Sequence, residues 1–407
     1  MTINLKFKSL IAAALLSSFS GFAAVSAAVS AEENDSLAPE ATAAEAELSF
    51  RDISYLNKAF IDATPTDRKD AIPVGELGVD GGNKDMILQL AQEIADSKHG
   101  DFDSLLIAHK GKLIFESYYL RGRVNLPHFQ ASATKVYTGL ALGRAIQLGY
   151  LTMADLDKPL VSFLKDLDPT KFVEGAEMIT LHKAMTMRSG IRISEEQMDE
   201  FEKNPSQLKG QGQVQAYLEH SAPITLESQS FLYQDDPTLV MQVIEAVVPG
   251  TAKDFIENEL LNKMGITVYS WRTDVSGLLK AGSGSYMTSR AMLKWGTLAI
   301  NKGKWNGEQL VPADFIAKAT SKIVNHSDDE NFLDIDNVTG TAYGYFWWQA
   351  DLSTGDKSYL SKAARGGGGQ YIMVIDALDL VVVVTAYDLN DDTSSLTATR
   401  ILPAFNK

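Results

Sequence analysis

The chain has 407 residues, a formal net charge of −15, 45% hydrophobic residues and no cysteine. So acidic a balance excludes nucleic acid and anionic lipid surfaces as electrostatic partners. The missing cysteines exclude disulfides, thiolate metal sites and lipid attachment through an N-terminal cysteine, and a chain of this length can bury a large core without such help.

The first segment, residues 1–31, carries Lys6 and Lys8, then an apolar run from Leu10 to Val25, then small residues up to Ala31. The run is short for a spanning helix and is broken by Ser17, Ser18 and Ser20. It reads as a cleaved secretory signal peptide rather than an anchor, and predicts a periplasmic or secreted protein. Removing it takes the net charge from −15 to about −17, because two lysines leave and no acidic residue does. Residues 32–82 form an acidic leader rich in Ala and Glu, followed by an irregular extension that ends in Gly81-Gly82. Residues 83–407 read as one domain, with no further segment long and apolar enough to span a bilayer.

Within that domain, Ile87, Leu90, Ala91 and Ile94 recur at helical spacing. Apolar runs at 104–109 and 113–119 flank Lys110-Gly111 and predict a tight hairpin. Helical patterns follow at 132–148, 179–188, 237–248 and 252–263. Residues 284–300 read as a loop entering a helix capped by Thr288 or Ser289. Tyr343–Trp348 is expected as an aromatic strand. Residues 371–375 and 380–386 are strands joined by Asp376–Asp379, and 393–405 is a terminal helix. Strands at both ends and helices between them predict an α+β fold: an antiparallel sheet flanked by helices, with an inserted helical subdomain.

Chemistry concentrates at Ser132-Ala133-Thr134-Lys135. A serine hydroxyl needs a neighbouring base to attack a carbonyl, and residues three apart share a helix face, so Lys135 can lie against the Ser132 oxygen. The first helical turn also carries unpaired N–H groups, suited to holding a developing oxyanion. The same spacing recurs at Ser206-Gln207-Leu208-Lys209, but in a polar loop without a sustained apolar face. At Ser132 the motif opens a strongly apolar helix that runs to a stop at Gly149. Three further segments stand downstream: 179–191, Phe231-Leu232-Tyr233-Gln234-Asp235, and Arg365-Gly366-Gly367-Gly368-Gly369-Gln370-Tyr371. From the residues alone, Tyr233 reads more readily as a core tyrosine than as a catalytic one. The glycine run, leading straight into a strand, suggests close backbone approach.

Taken in this order, the four segments resemble the serine β-lactamase and penicillin-binding-protein superfamily over most of residues 100–390. The similarity is greatest to class C-like hydrolases and, through Gly369-Gln370-Tyr371 and the aromatic run at 343–348, to the 6-aminohexanoate-dimer hydrolase branch. The resemblance implies a β-lactamase-like fold and an acyl-enzyme on Ser132. It implies that Lys135 and Tyr233 move the proton, and that the backbone N–H groups of Ser132 and Gly369 hold the oxyanion. Asp235, Gly368, Tyr345 and Trp347 would line the substrate site. Asp235 stands where that family has Asn, and the cation that opens its Lys-Thr-Gly strand is missing at Gly366, although Arg365 is adjacent.

The expected activity is therefore hydrolysis of a small ester or linear amide, with no cofactor and no metal. A β-lactamase or DD-peptidase on the same fold is one alternative, and a non-catalytic ligand-binding or sensor protein is another. No Gly-x-Ser-x-Gly is present, and the six histidines have neither His-x-x-x-His nor His-Glu-x-x-His spacing. His182 reads as structural, Met185 and Met187 as core or pocket lining, and Ser327–Glu330 as a solvated acidic loop.

Overall fold

The computed structural model describes residues 37–325, 335–388 and 392–406. The signal segment, residues 32–36 of the leader, His326 and the acidic run 327–330 lie outside the described residues.

Nine strands form one antiparallel sheet: β1 Phe60–Asp62, β2 Phe102–His109, β3 Lys112–Tyr118, β4 Val324–Asn325, β5 Val338–Tyr343, β6 Trp348–Thr354, β7 Lys357–Gly366, β8 Gln370–Ile375 and β9 Leu380–Ala386. Their spatial order is β1-β3-β2-β9-β8-β7-β6-β5-β4. The two ends of the chain therefore meet at the β2–β9 pair, where Leu106 stands opposite Val383. The β2–β3 hairpin turns on Lys110 and Gly111, both at positive φ (51° and 75°), the twist a two-residue hairpin needs.

The central strands carry continuous apolar runs because both faces are covered. One face, with Leu106, Ile372, Val374, Val381 and Val383, packs on α2 Thr134–Gln147 and α4 Ser289–Ile300, and α3 Pro237–Val247 packs on α2. The other, with Leu105, Ile107, Met373, Val382 and Val384, packs on α1 Lys84–Ala95 and on the terminal helical run Thr393–Phe405. Asn83 caps α1, its Oδ1 accepting the Met86 N–H at 3.2 Å. Thr288 caps α4, its Oγ1 accepting the Ala291 N–H at 3.1 Å. Among the described residues no helix is long and apolar enough to cross a membrane.

Several expectations need correction. The aromatic run 343–348 is not a strand: it spans the connection between β5 and β6, and Phe346 sits at φ 64°. Residues 285–287 are not loop but a short strand, held between His128–Phe129 and Tyr269–Trp271. The helical pattern at 179–188 yields only Leu181–Met185. The extension contributes the edge strand β1, paired with β3. The described part of the leader is anchored on the domain: Val124 N–H donates to Pro39 O at 2.9 Å, and Arg123 pairs with Glu45 at 3.3 Å.

Candidate active site

Ser132 occupies the short 3-10 turn Ala131–Ala133 that leads into α2, and Lys135 lies in the first turn of that helix. Ala131 is held at φ 44°, a left-handed conformation uncommon for a side-chain-bearing residue, directly before the serine. The turn and the helix it opens are tied to the segment 281–285 by several hydrogen bonds. Gln130 N–H donates to Ser285 O at 2.9 Å, the Thr134 and Ser285 hydroxyls meet at 2.7 Å, and Thr138 Oγ1 donates to Ala281 O at 2.9 Å. Those ties bring Gly282 O into line with the helix. Lys135, only 6% exposed, places Nζ between the two: it donates to Ser132 Oγ at 3.0 Å and to Gly282 O at 2.9 Å.

Tyr233 closes the group from the other side, its ring centroid 4.6 Å from Lys135 Nζ. The phenol is held in an aromatic cluster. Its ring lies 5.5 Å from that of Trp348 and 6.1 Å from that of Tyr343, and Phe231 packs on both of those rings. At 38% exposure Tyr233 is open to the cleft rather than a core tyrosine. Asp235 also faces the cleft and is open to solvent, but protein hems it in; this desolvation raises its carboxyl above the usual carboxylate value, while Thr238 and Lys135 oppose the rise. Its Oδ2 accepts the Thr238 hydroxyl at 2.9 Å. Its Oδ1 lies over Gly282, where an added Cβ would come within 2.5 Å of it and 3.7 Å of Lys135 Nζ.

Asp236, one residue on, is fully buried. Its carboxylate accepts Ser189 N–H at 3.0 Å, Ser189 Oγ at 2.7 Å and Gln234 Nε2 at 2.8 Å, and burial still pushes its pKa up to about 6.

The glycine strand reaches the serine turn, but not through the residues expected. A Cβ on Gly366 would lie 2.2 Å from Gln130 O and 3.2 Å from Ala133 N, so the backbone of β7 abuts the serine turn here. Gly367 has open space at the same point. Gly369, by contrast, points its α-carbon at β9, where a Cβ would lie 2.7 Å from that of Ala386, and Gly368 O accepts Asp388 N–H at 3.2 Å. Both sit on the β7–β8 turn at φ near 90° (89° and 88°). Arg365 lies opposite Tyr371, on the sheet face turned away from Ser132, with its guanidinium 5.7 Å from the Tyr371 ring.

Two expected lining residues are buried instead. Tyr345 is 0% and Trp347 is 1% exposed, both in the core shared with α2. The bend at Phe346 turns them inward and leaves Trp348 beside Tyr233. Tyr345 OH meets His182 Nδ1 at 2.8 Å, and burial with nearby Lys318 and Arg188 lowers the imidazole's pKa. Met185 and Met187 are buried core residues. Ser206 and Lys209 are exposed. Gly282 was not singled out from sequence, Gly366 was read only as part of the glycine run and Trp348 only as part of the aromatic run; Gly282-Ser283-Gly284 just before a capped helix was the available signal for close backbone approach. Among the described residues no three His, Asp or Glu side chains gather as a metal site would require.

The family model described as Beta-lactamase matches residues 89–403. The chain belongs to the beta-lactamase family. Its members are serine hydrolases built on this fold. Solved structures share the architecture at low identity. A Bacillus anthracis protein provisionally assigned as a 6-aminohexanoate-dimer hydrolase aligns at TM-score 0.59 and 17% identity, over 83% of this chain and 88% of its own. A class C beta-lactamase aligns at TM-score 0.57 and 16% identity, over 80% and 96%. EstCE1, a hydrolase with promiscuous acyltransferase activity, aligns at TM-score 0.59 and 14% identity, over 79% and 98%. No curated protein matches the chain.

Proposed function

We propose that this β-lactamase family member is an exported serine hydrolase that cleaves a small ester or a linear amide through an acyl-enzyme on Ser132. The observation that carries the reading is the contact of Lys135 Nζ with Ser132 Oγ at 3.0 Å, with the Tyr233 ring over the same ammonium. Ser132 Oγ attacks the carbonyl carbon while its proton passes to the Lys135–Tyr233 pair. The carbonyl oxygen, now negative, is held by the Ser132 N–H and a second backbone donor. The abutment at Gly366 favours Gly367, with its open side, as that donor in place of Gly369. The tetrahedral centre collapses, the bond to the leaving oxygen or nitrogen breaks, and Tyr233 returns the proton to it. Water then repeats the sequence on the acyl-enzyme, giving the carboxylic acid and free Ser132.

Export rests on the basic, apolar and small-residue order of residues 1–31. A β-lactam substrate is disfavoured, because the strand beside the serine offers glycine where a carboxylate-binding cation would stand. A fluorophosphonate probe followed by peptide mapping tests the reading. The label should fall on Ser132 and vanish in Ser132→Ala; labelling elsewhere, or none, would refute it.

A further inference from the structure

We propose that Asp235 makes this cleft select substrates with a positively charged acyl group. The inference rests on the serine-hydrolase reading above and concerns which molecules that site accepts. Asp235 reaches solvent inside the cleft, two residues from Tyr233 and beside the backbone of Gly282, whose carbonyl holds Lys135. An ionised carboxylate only accepts hydrogen bonds, whereas an amide at the same place would also donate. One acceptor site is filled by the Thr238 hydroxyl. Lys135 attracts this carboxylate without bonding to it: its protons point at Ser132 Oγ and Gly282 O, and among the described residues no ion pair forms to Asp235.

The other charged or titratable groups facing Asp235 are Lys280, Asp274, Asp236 and Tyr217, so cation and anion are balanced around it. On the opposite wall, Arg365 is turned to the far side of the sheet and Gly366 and Gly367 carry no charge. A carboxylate on the acyl chain would meet a negative group and no cation at the end of β7 that abuts the serine turn; an ammonium would meet its complement.

Three p-nitrophenyl esters of similar length test this: 4-(trimethylammonio)butyrate, 5-methylhexanoate and the mono-ester of adipate. The wild type should rank them cationic, neutral, anionic in kcat/KM. A unit charge a few ångströms away in a partly solvated cleft should separate first from last by about tenfold. In Asp235→Asn the cationic-to-anionic ratio should shrink to within about twofold. In the wild type the cationic-to-neutral ratio, whose substrates do not titrate, should shrink as pH falls and Asp235 takes up its proton, a readout that needs no variant. An unchanged ratio in Asp235→Asn, or a wild-type preference for the anionic ester, would overturn the proposal while leaving the hydrolase standing. Failure to turn over any of the three, with no label on Ser132, would remove the hydrolase reading itself.

Discussion

At the scale of single residues, the site depends on places where a side chain is missing. Gly366 brings β7 against the serine turn because nothing projects from it, and a methyl group there would be 2.2 Å from Gln130 O. Gly366→Ala should lower kcat on an activated ester by about 10²-fold or more, the scale seen when an oxyanion donor is displaced, and, because the clash is with backbone, should lower stability as well. Parallel kinetics and urea melts would show both effects. Asp236 gives a prediction in pH. Its folded pKa of about 6 lies above the ordinary value of 3.8, so the native state binds the extra proton between those values. The contribution of Asp236 to stability is therefore complete below about pH 4 and is lost as pH rises through 6. The stability difference between wild type and Asp236→Asn, from urea unfolding at several pH values, should shift against the wild type over that window.

At the scale of elements, one buried ion pair joins three parts of the chain. Arg290, on α4, donates through Nε and Nη2 to the two oxygens of Glu116 on β3 at 2.8 and 2.6 Å. It also reaches Asp70 Oδ2 at 3.1 Å and Thr66 O at 3.0 Å, which pins the extension against sheet and helix. Arg290→Met alone leaves Glu116 buried and unpaired, and should cost about 3–5 kcal/mol in chemical denaturation. Adding Glu116→Leu should return much of that loss. Thr288→Ala removes only a cap and should cost about 1 kcal/mol by the same measurement.

At the scale of the whole molecule, much was legible from sequence because periodicity and punctuation agree. The hairpin at Lys110-Gly111, the two central strands 371–375 and 380–386, and the helix opening at Ser132 all carry strong local signals, and each forms as read. The aromatic run at 343–348 was misread because its β-favouring residues also suit a buried turn, and only tertiary contacts put Phe346 at φ 64°. Close approach of the glycine run was legible, but which glycine meets the serine turn and where Gly282 O lies were not, because both depend on segments far apart in the chain. The sheet adds a further prediction. The serine lies in the inserted helical part, but its facing strand β7 and the pair β8–β9 come from the last stretch of sequence. A chain stopped at Asp356 keeps Ser132 and Lys135 yet has no β7, so it should take no fluorophosphonate label.

That arrangement has an outcome for biosynthesis. β2 and β3 emerge early and wait, one flank bare, for a neighbour made last. A chain still leaving the ribosome thus holds Ser132 without its facing strand; the site is complete only once β7–β9 are in place.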